Sequence, residues 1–286
     1  MNAIGKNKLF TLRSSGKPLP WGKIISYAIL LILAAVYIGP LFMLVNASLK
    51  TQSAFMRDAT ALTTTFNIQN YIDAWTKANF PKYILNSLLY TVVATTIYIF
   101  TAVFVAFPIA RNYVKGQKFL LTLFVIALFL PTSLIPLFQL ILNLGLYNTQ
   151  IGYILLFLVN PVGIIILVNF IKSIPRELDE AAAIDGCGYF YFVIRIVFPL
   201  IKPAVATVVV LHAIGIWNEL VLPTIYLTNQ NFYPITRGLI VFRGVYGSNW
   251  PSLAAATLML TVPMLVMYLF LQRYIISGLT QGSVKG

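Results

Sequence analysis

Six apolar stretches, at approximately residues 24–46, 84–110, 119–142, 152–171, 204–227 and 253–273, constrain this chain more than any other feature. Each is long enough to cross the roughly 30 Å hydrocarbon layer of a bilayer, which takes about 20 helical residues. Their apolar residues run all round rather than along one stripe, which predicts spanning helices and not helices lying on a surface. Alternating segments of about ten residues, the mark of a transmembrane barrel, are missing. With 59% apolar and 9% charged residues in 286, the composition is far from that of a soluble domain. The expected fold class is an all-α polytopic membrane protein with six transmembrane helices.

The net charge of +13 raises the question of a nucleic-acid partner, and its distribution answers it. If the N-terminus lies inside, the outer segments hold only Lys50, Arg57, Lys77, Lys82, Arg237 and Arg243 of the 20 Lys and Arg residues. The rest fall on inner segments, as the bias of basic residues toward the cytoplasmic face requires. The excess is a topology signal, and no nucleic acid is expected. Residues 1–23 are predicted to be a cytoplasmic lead, 24–273 the six-helix domain and 274–286 a cytoplasmic tail. The first span follows a long polar lead and exceeds a signal-peptide core, so it is read as retained. The single cysteine, Cys187, excludes an intramolecular disulfide.

The connections differ in character. Residues 47–83 form a polar outer loop with a short helix expected near Asn70–Trp75. Residues 228–252 form a second outer loop carrying Tyr233, Arg237, Arg243, Tyr246 and Trp250. Prolines stand in or near the spans at 40, 108, 131, 136, 161, 223 and 263. Each removes a backbone donor and can kink its helix, leaving a carbonyl that neighbouring helices must satisfy. Pro131 and Pro136, in LPTSLIP, suggest a bend bordering a pathway.

The long inner loop, 172–203, holds the sequence EAAAIDGCGYFYFVIRIVFPLIKP from Glu180 to Pro203. Pro175 suits a helix start, and Glu177, Asp179 and Glu180 place acid in its early turns, where the helix dipole favours it. Ala181, Ala182 and Ala183 favour helix while offering little bulk, so another surface approaches closely. Gly186 and Gly188 allow a sharp change of direction. An interfacial helix resting on the membrane fits these residues as well as a docking helix does.

The spacing of Glu180, Ala181, Ala182, Asp185 and Gly186, followed by Ile196, Val197, Pro199 and Leu200, resembles the coupling motif of bacterial ABC importer permeases. Cys187 stands where that family usually has alanine. NSLLYTVVATT (Asn86–Thr96), GLYNTQIGYIL (Gly145–Leu155), WNELVLP (Trp217–Pro223) and QRYIISGLTQGSVKG (Gln272–Gly286) are similar to segments of carbohydrate permeases. The last two resemble the smaller membrane subunit of maltose-type importers. The resemblance implies a type I permease fold with a cytoplasmic coupling helix docked in a cleft of a separate ATPase subunit. It also implies a tail, at Gln281, Gly282 and Ser283, reaching between two ATPase subunits that carry the ATP and Mg. The implied partners are a second homologous permease and an extracytoplasmic sugar-binding protein. The implied cargo is a carbohydrate, with a lean toward an oligosaccharide, and the implied location is the bacterial cytoplasmic membrane.

Glu219 is the only acidic residue well inside a predicted span. An intramembrane carboxylate costs roughly 2.5–3.5 kcal/mol on insertion scales and so invites a functional role. Asn218 and Glu219 are candidate pathway or gate residues. The plainer reading has Glu219 bonded to broken-helix backbone near Pro223. The alternative function is an ion-coupled secondary transporter using Glu219 and His212, which lie two turns apart on one face. No phosphate-binding loop of the form GxxxxGK[ST] occurs, so ATP is expected on other chains. One histidine and one cysteine leave little for a His/Cys metal cluster, so no metal is expected. No catalytic triad is credible, and the chain is expected to be a non-catalytic transport subunit. Tyr and Trp also collect at membrane interfaces, so no sugar platform is assigned.

Overall fold

A computed structural model describes residues 21–77, 79–131, 133–244 and 247–281. Fifteen α-helical segments are described: α1 Trp21–Ser48, α2 Gln52–Arg57, α3 Gln69–Lys77, α4 Phe80–Arg111, α5 Gln117–Ala127, α6 Leu134–Asn143, α7 Gln150–Leu155, α8 Pro161–Lys172, α9 Glu177–Ile184, α10 Tyr189–Phe192, α11 Phe198–Leu200, α12 Lys202–Trp217, α13 Val221–Tyr226, α14 Ile235–Gly238 and α15 Trp250–Gln281. A π-helical turn, Val193–Val197, joins α10 to α11. A two-residue antiparallel ladder pairs Arg243–Gly244 with Gly247–Ser248. The described residues up to Leu44 form a unit of their own, within which α1 is apolar and largely exposed. Residues from Val45 onward form the second unit.

Three of the six apolar stretches are single helices long enough to cross a membrane: Gly22–Ser48, Phe80–Arg111 and Trp250–Phe270. The other three are each broken in two. The stretch 119–142 divides into α5 and α6 around Pro131, which disfavours helix in the residue before it and offers no N–H. The stretch 152–171 divides into α7 and α8, and α8 restarts at Asn160-Pro161. There Asn160 Oδ1 accepts from the Val162 N–H at 3.0 Å, with proline at the first helical turn. The stretch 204–227 divides into α12 and α13 across Asn218–Leu220. A fourth long apolar element arises if Tyr189–Leu200 and Lys202–Trp217, bent by 84°, count as one. Pro199 and Pro203 flank that bend, and Ile201 is fully buried within it.

The core of the second unit is built by α4, α8 and α12. Along α4, Ala94, Tyr98, Ala102, Ala106 and Ala110 recur every four residues and are all buried. Small residues on one stripe let helices approach closely, which drives association where lipid removes the hydrophobic contrast. Gly163 on α8 serves the same crossing: a Cβ there would meet Val208 Cγ1 at 2.6 Å and the Tyr98 hydroxyl nearer still.

The loop after α1 is tied down by polar side chains. Lys50 is buried, and its Nζ donates to the carbonyls of Asp58 and Ala59 at 2.9 and 3.0 Å. Asn70, on α3, donates to the carbonyls of Ser48 and Lys50 at 2.8 and 2.7 Å. The Thr60 hydroxyl, then the N–H groups of Thr60 and Ala61, hold the Asp58 carboxyl below its ordinary range.

Candidate functional site

Two regions gather the residues that the sequence singled out. The first is α9. Its opening turn holds Glu177, Asp179 and Glu180, and its end is closed by Gly186 in the left-handed region at φ +70°. The Gly186 N–H donates to the Ala183 carbonyl at 3.2 Å and the Cys187 N–H to the Ala182 carbonyl at 2.9 Å. That pair of bonds is a Schellman cap, for which glycine is the residue of least strain. Glu180, Ala181, Ala183 and Asp185 are exposed, Ile184 is 87% exposed, and Ala182 points into the core. The helix therefore presents an acidic, small-residue face outward while one alanine seats it.

What seats α9 most firmly is a pair that the sequence reading counted only as topology and helix-dipole charge. Arg111, the last residue of α4, and Asp179 are 2% and 8% exposed. Arg111 Nη2 donates to Asp179 Oδ1 at 3.0 Å, and Nε lies 2.8 Å from Oδ2, off the hydrogen-bond line, so that contact is chiefly Coulombic. Nη1 donates to the Ile174 carbonyl at 2.9 Å, and the Tyr113 hydroxyl donates to Asp179 Oδ2 at 2.9 Å. Burial, then the bond to Asp179 and its charge, pushes the Tyr113 phenol up. Removing one partner of such a buried pair strands the other, at about 3–5 kcal/mol.

The second region is a cavity of about 630 Å³ where the helix breaks meet. Its wall includes Leu134 at the start of α6, Phe157 and Asn160 from the α7–α8 break, His212 on α12, and Glu219 and Leu222 from the α12–α13 break. Within apolar stretches of this kind, non-helical backbone is tolerated where it lines a cavity. Glu219 Oε1 accepts from the N–H groups of Val221 and Leu222 at 2.7 and 3.0 Å, so the carboxylate caps α13. The Thr236 hydroxyl donates to the Glu219 carbonyl at 2.6 Å. His212 Nε2 lies 2.8 Å from the Phe157 carbonyl and Nδ1 lies 3.1 Å from the Thr95 hydroxyl. The carbonyl partner places a proton on Nε2. Its ring stacks on Tyr98 at 4.2 Å, and the Tyr98 hydroxyl donates to the Asn160 carbonyl at 2.6 Å.

The structure thus brings Glu219 and His212 to one cavity wall. Asn218 is exposed and turns back on its own helix, Nδ2 donating to the Ile214 carbonyl at 3.0 Å. Gln281 is the last residue of α15, whereas Gly282 and Ser283 lie outside the described residues. No group of three or more His, Cys, Asp or Glu residues that could hold a metal occurs among the described residues. Asn160, Tyr98 and Arg111 were not singled out from the sequence, although the Asn-Pro dipeptide at 160–161 is a helix-start signal.

Residues 74–280 match the family model of the binding-protein-dependent transport system inner membrane component. The chain is 30% identical over 280 residues to the arabinooligosaccharides transport system permease protein AraQ of Halalkalibacterium halodurans, covering 96% of this chain and 99% of that one. It is 32% identical over 260 residues to the melibiose/raffinose/stachyose import permease protein MelC of Bacillus subtilis, covering 89% and 94%. Its fold matches, with a TM-score of 0.80 and 21% identity, the crystal structure of a bacterial ABC transporter involved in the import of the acidic polysaccharide alginate, covering 89% of this chain and 96% of that chain. The chain belongs to the family of binding-protein-dependent transport system inner membrane components, the permease subunits of ABC importers.

Proposed function

We propose that this chain helps to carry a carbohydrate, an oligosaccharide in particular, across the bacterial cytoplasmic membrane, paired with a second homologous permease. The observation that carries this reading is α9, an exposed acidic helix seated on the transmembrane core by the buried Arg111–Asp179 pair. Such a helix fits a cleft on a separate ATPase subunit, where Glu180, Ala181, Asp185 and the Gly186 cap meet the partner and Ala182 holds the helix to its own core. Two such ATPases carry the ATP and Mg, and the tail at Gln281, Gly282 and Ser283 reaches between them. The three broken stretches count as one crossing each, giving six crossings with both termini and α9 inside. The binding protein docks on the opposite face.

The cavity at the helix breaks serves as part of the pathway, with Glu219 and Asn218 at its gate. Family membership favours ATP-driven import over the ion-coupled alternative built on Glu219 and His212. Both of those side chains also have backbone partners already. ATP shifts the conformational equilibrium only by binding one state of the complex better than the other. The relatives named for arabinooligosaccharides and for melibiose, raffinose and stachyose support the cargo class.

The test is uptake by proteoliposomes holding the whole complex, its binding protein and the sugar that protein retains. Uptake is expected to persist when ion gradients are dissipated and to stop without internal ATP. Collapse with the ion gradient while ATP is present would overturn the ATP-driven reading. A cognate binding protein that retains no glycan would overturn the cargo class.

A further inference from the structure

The long helix α4 is held at both ends by segments that the proposed function assigns to opposite faces of the membrane. It has 32 residues, which makes it about 48 Å long at 1.5 Å per residue. At its Arg111 end the grip on the α9–α10 segment has three parts. Arg111 holds Asp179 and the Ile174 carbonyl. The rings of Phe104 and Phe107 pack on Phe190, Tyr189 and Phe192 with centroids 5.4–6.0 Å apart. The third part depends on Pro108. Proline lacks the N–H that would have bonded the Phe104 carbonyl one turn back, and the Tyr189 hydroxyl donates to that carbonyl at 3.0 Å.

At the Phe80 end the partner is the backbone of the 228–252 loop. Asn86 Nδ2 donates to the carbonyls of Asn231 and Tyr233 at 2.8 and 3.0 Å, and the Tyr90 hydroxyl to that of Phe232 at 2.8 Å. Ser87 Oγ accepts from the Ile235 N–H at 2.8 Å. Four bonds therefore fix a five-residue run of loop backbone, 231–235, onto one turn of α4. Between the two grips the helix is unbroken and its alanine stripe is buried. A half-buried, continuous helix bonded at both ends moves as a unit, whereas the other elements leading from α9 contain a break or an 84° bend.

We propose that α4 is the strut joining the coupling helix to the 228–252 loop, with Arg111 and Tyr189 as positioning residues at one end and Asn86 and Ser87 at the other. The proposal rests on the functional reading above, in which α9 meets the ATPase and the loop faces the binding protein. A strut makes the two grips energetically dependent on each other, while two local anchors would act independently.

The test is a double-mutant cycle in the purified full complex. The readouts are the stimulation of ATP hydrolysis by sugar-loaded binding protein and the recovery of assembled complex. Tyr189→Phe keeps the ring and removes one hydrogen bond, and Asn86→Ala removes two of the four bonds that hold the loop. Tyr189→Phe is expected to weaken stimulation about fivefold, the scale of one lost hydrogen bond, and Asn86→Ala, which loses two, by at least as much. Because both cuts weaken one strut, the double variant is expected to lose less than the product of the two single losses. Multiplying losses would overturn the strut, as would unchanged stimulation in Tyr189→Phe. If Asn86→Ala does not assemble, Ser87→Ala takes its place in the cycle, with the same two outcomes. A wild-type complex that the loaded binding protein does not stimulate would overturn the functional reading itself.

Discussion

Gly163 shows how much at the scale of one residue escapes a sequence. Glycine is common in membrane helices, and nothing in PVGIIILVNF marks this one as the contact between α8, α4 and α12. In the structure a Cβ at this position would press on Tyr98 and Val208. Gly163→Ala is therefore expected to destabilise the protein by roughly 1–3 kcal/mol through overpacking. A lowered thermal midpoint of the detergent-solubilised protein would show it, and an unchanged midpoint would mean that the crossing yields freely. Gly186 is the opposite case. Its place after an acidic, alanine-rich run is a helix-stop signal, and the structure puts it at φ +70°. Arg111 falls between the two. Its charge was legible, but its partner lies 68 residues away in the chain, and local pattern carries no such pairing.

At the scale of elements, the apolar runs announced where helices would form but not where they would stop. Composition alone reads 119–142, 152–171 and 204–227 as continuous spans, since Leu, Ile, Val and Phe carry no information about a break. The breaks coincide instead with Pro131, Asn160-Pro161 and Asn218-Glu219. The short helix expected near 70–75 proved to be α3, Gln69–Lys77. Glu219 illustrates how a break is stabilised, because its carboxylate takes the two N–H groups that open α13. Glu219→Leu is expected to lower stability by about 1 kcal/mol, as loss of a helix N-cap does. Glu219→Gln retains an acceptor oxygen and is expected to lose less. Thermal unfolding of the two variants side by side separates these outcomes, and equal loss in both would mean that the charge, not the cap, matters.

For the whole molecule, membrane class and family were legible because they rest on long apolar runs and on one motif with fixed spacing. The cavity was not legible, since it forms only when three separate breaks converge. The proposed topology makes a direct prediction for two exposed sites, Phe66 in the first loop and Ile184 at the end of α9. With Cys187 replaced by alanine, Ile184→Cys is expected to react with a membrane-impermeant thiol reagent only from the cytoplasmic side, and Phe66→Cys only from the other. Labelling of both from one side would contradict it.

The central claim is that α9 passes the work of a separate ATPase into this chain. Glu180→Lys reverses the charge on its exposed face, and Gly186→Pro imposes φ near −65° where the cap holds +70°. Proline there also removes the N–H bonded to the Ala183 carbonyl. The most direct measurement is ATP hydrolysis by each reconstituted variant complex, with and without the sugar-loaded binding protein. The account predicts that both variants insert and that the binding protein no longer stimulates hydrolysis. Stimulation equal to that of the unaltered complex in both variants would contradict it.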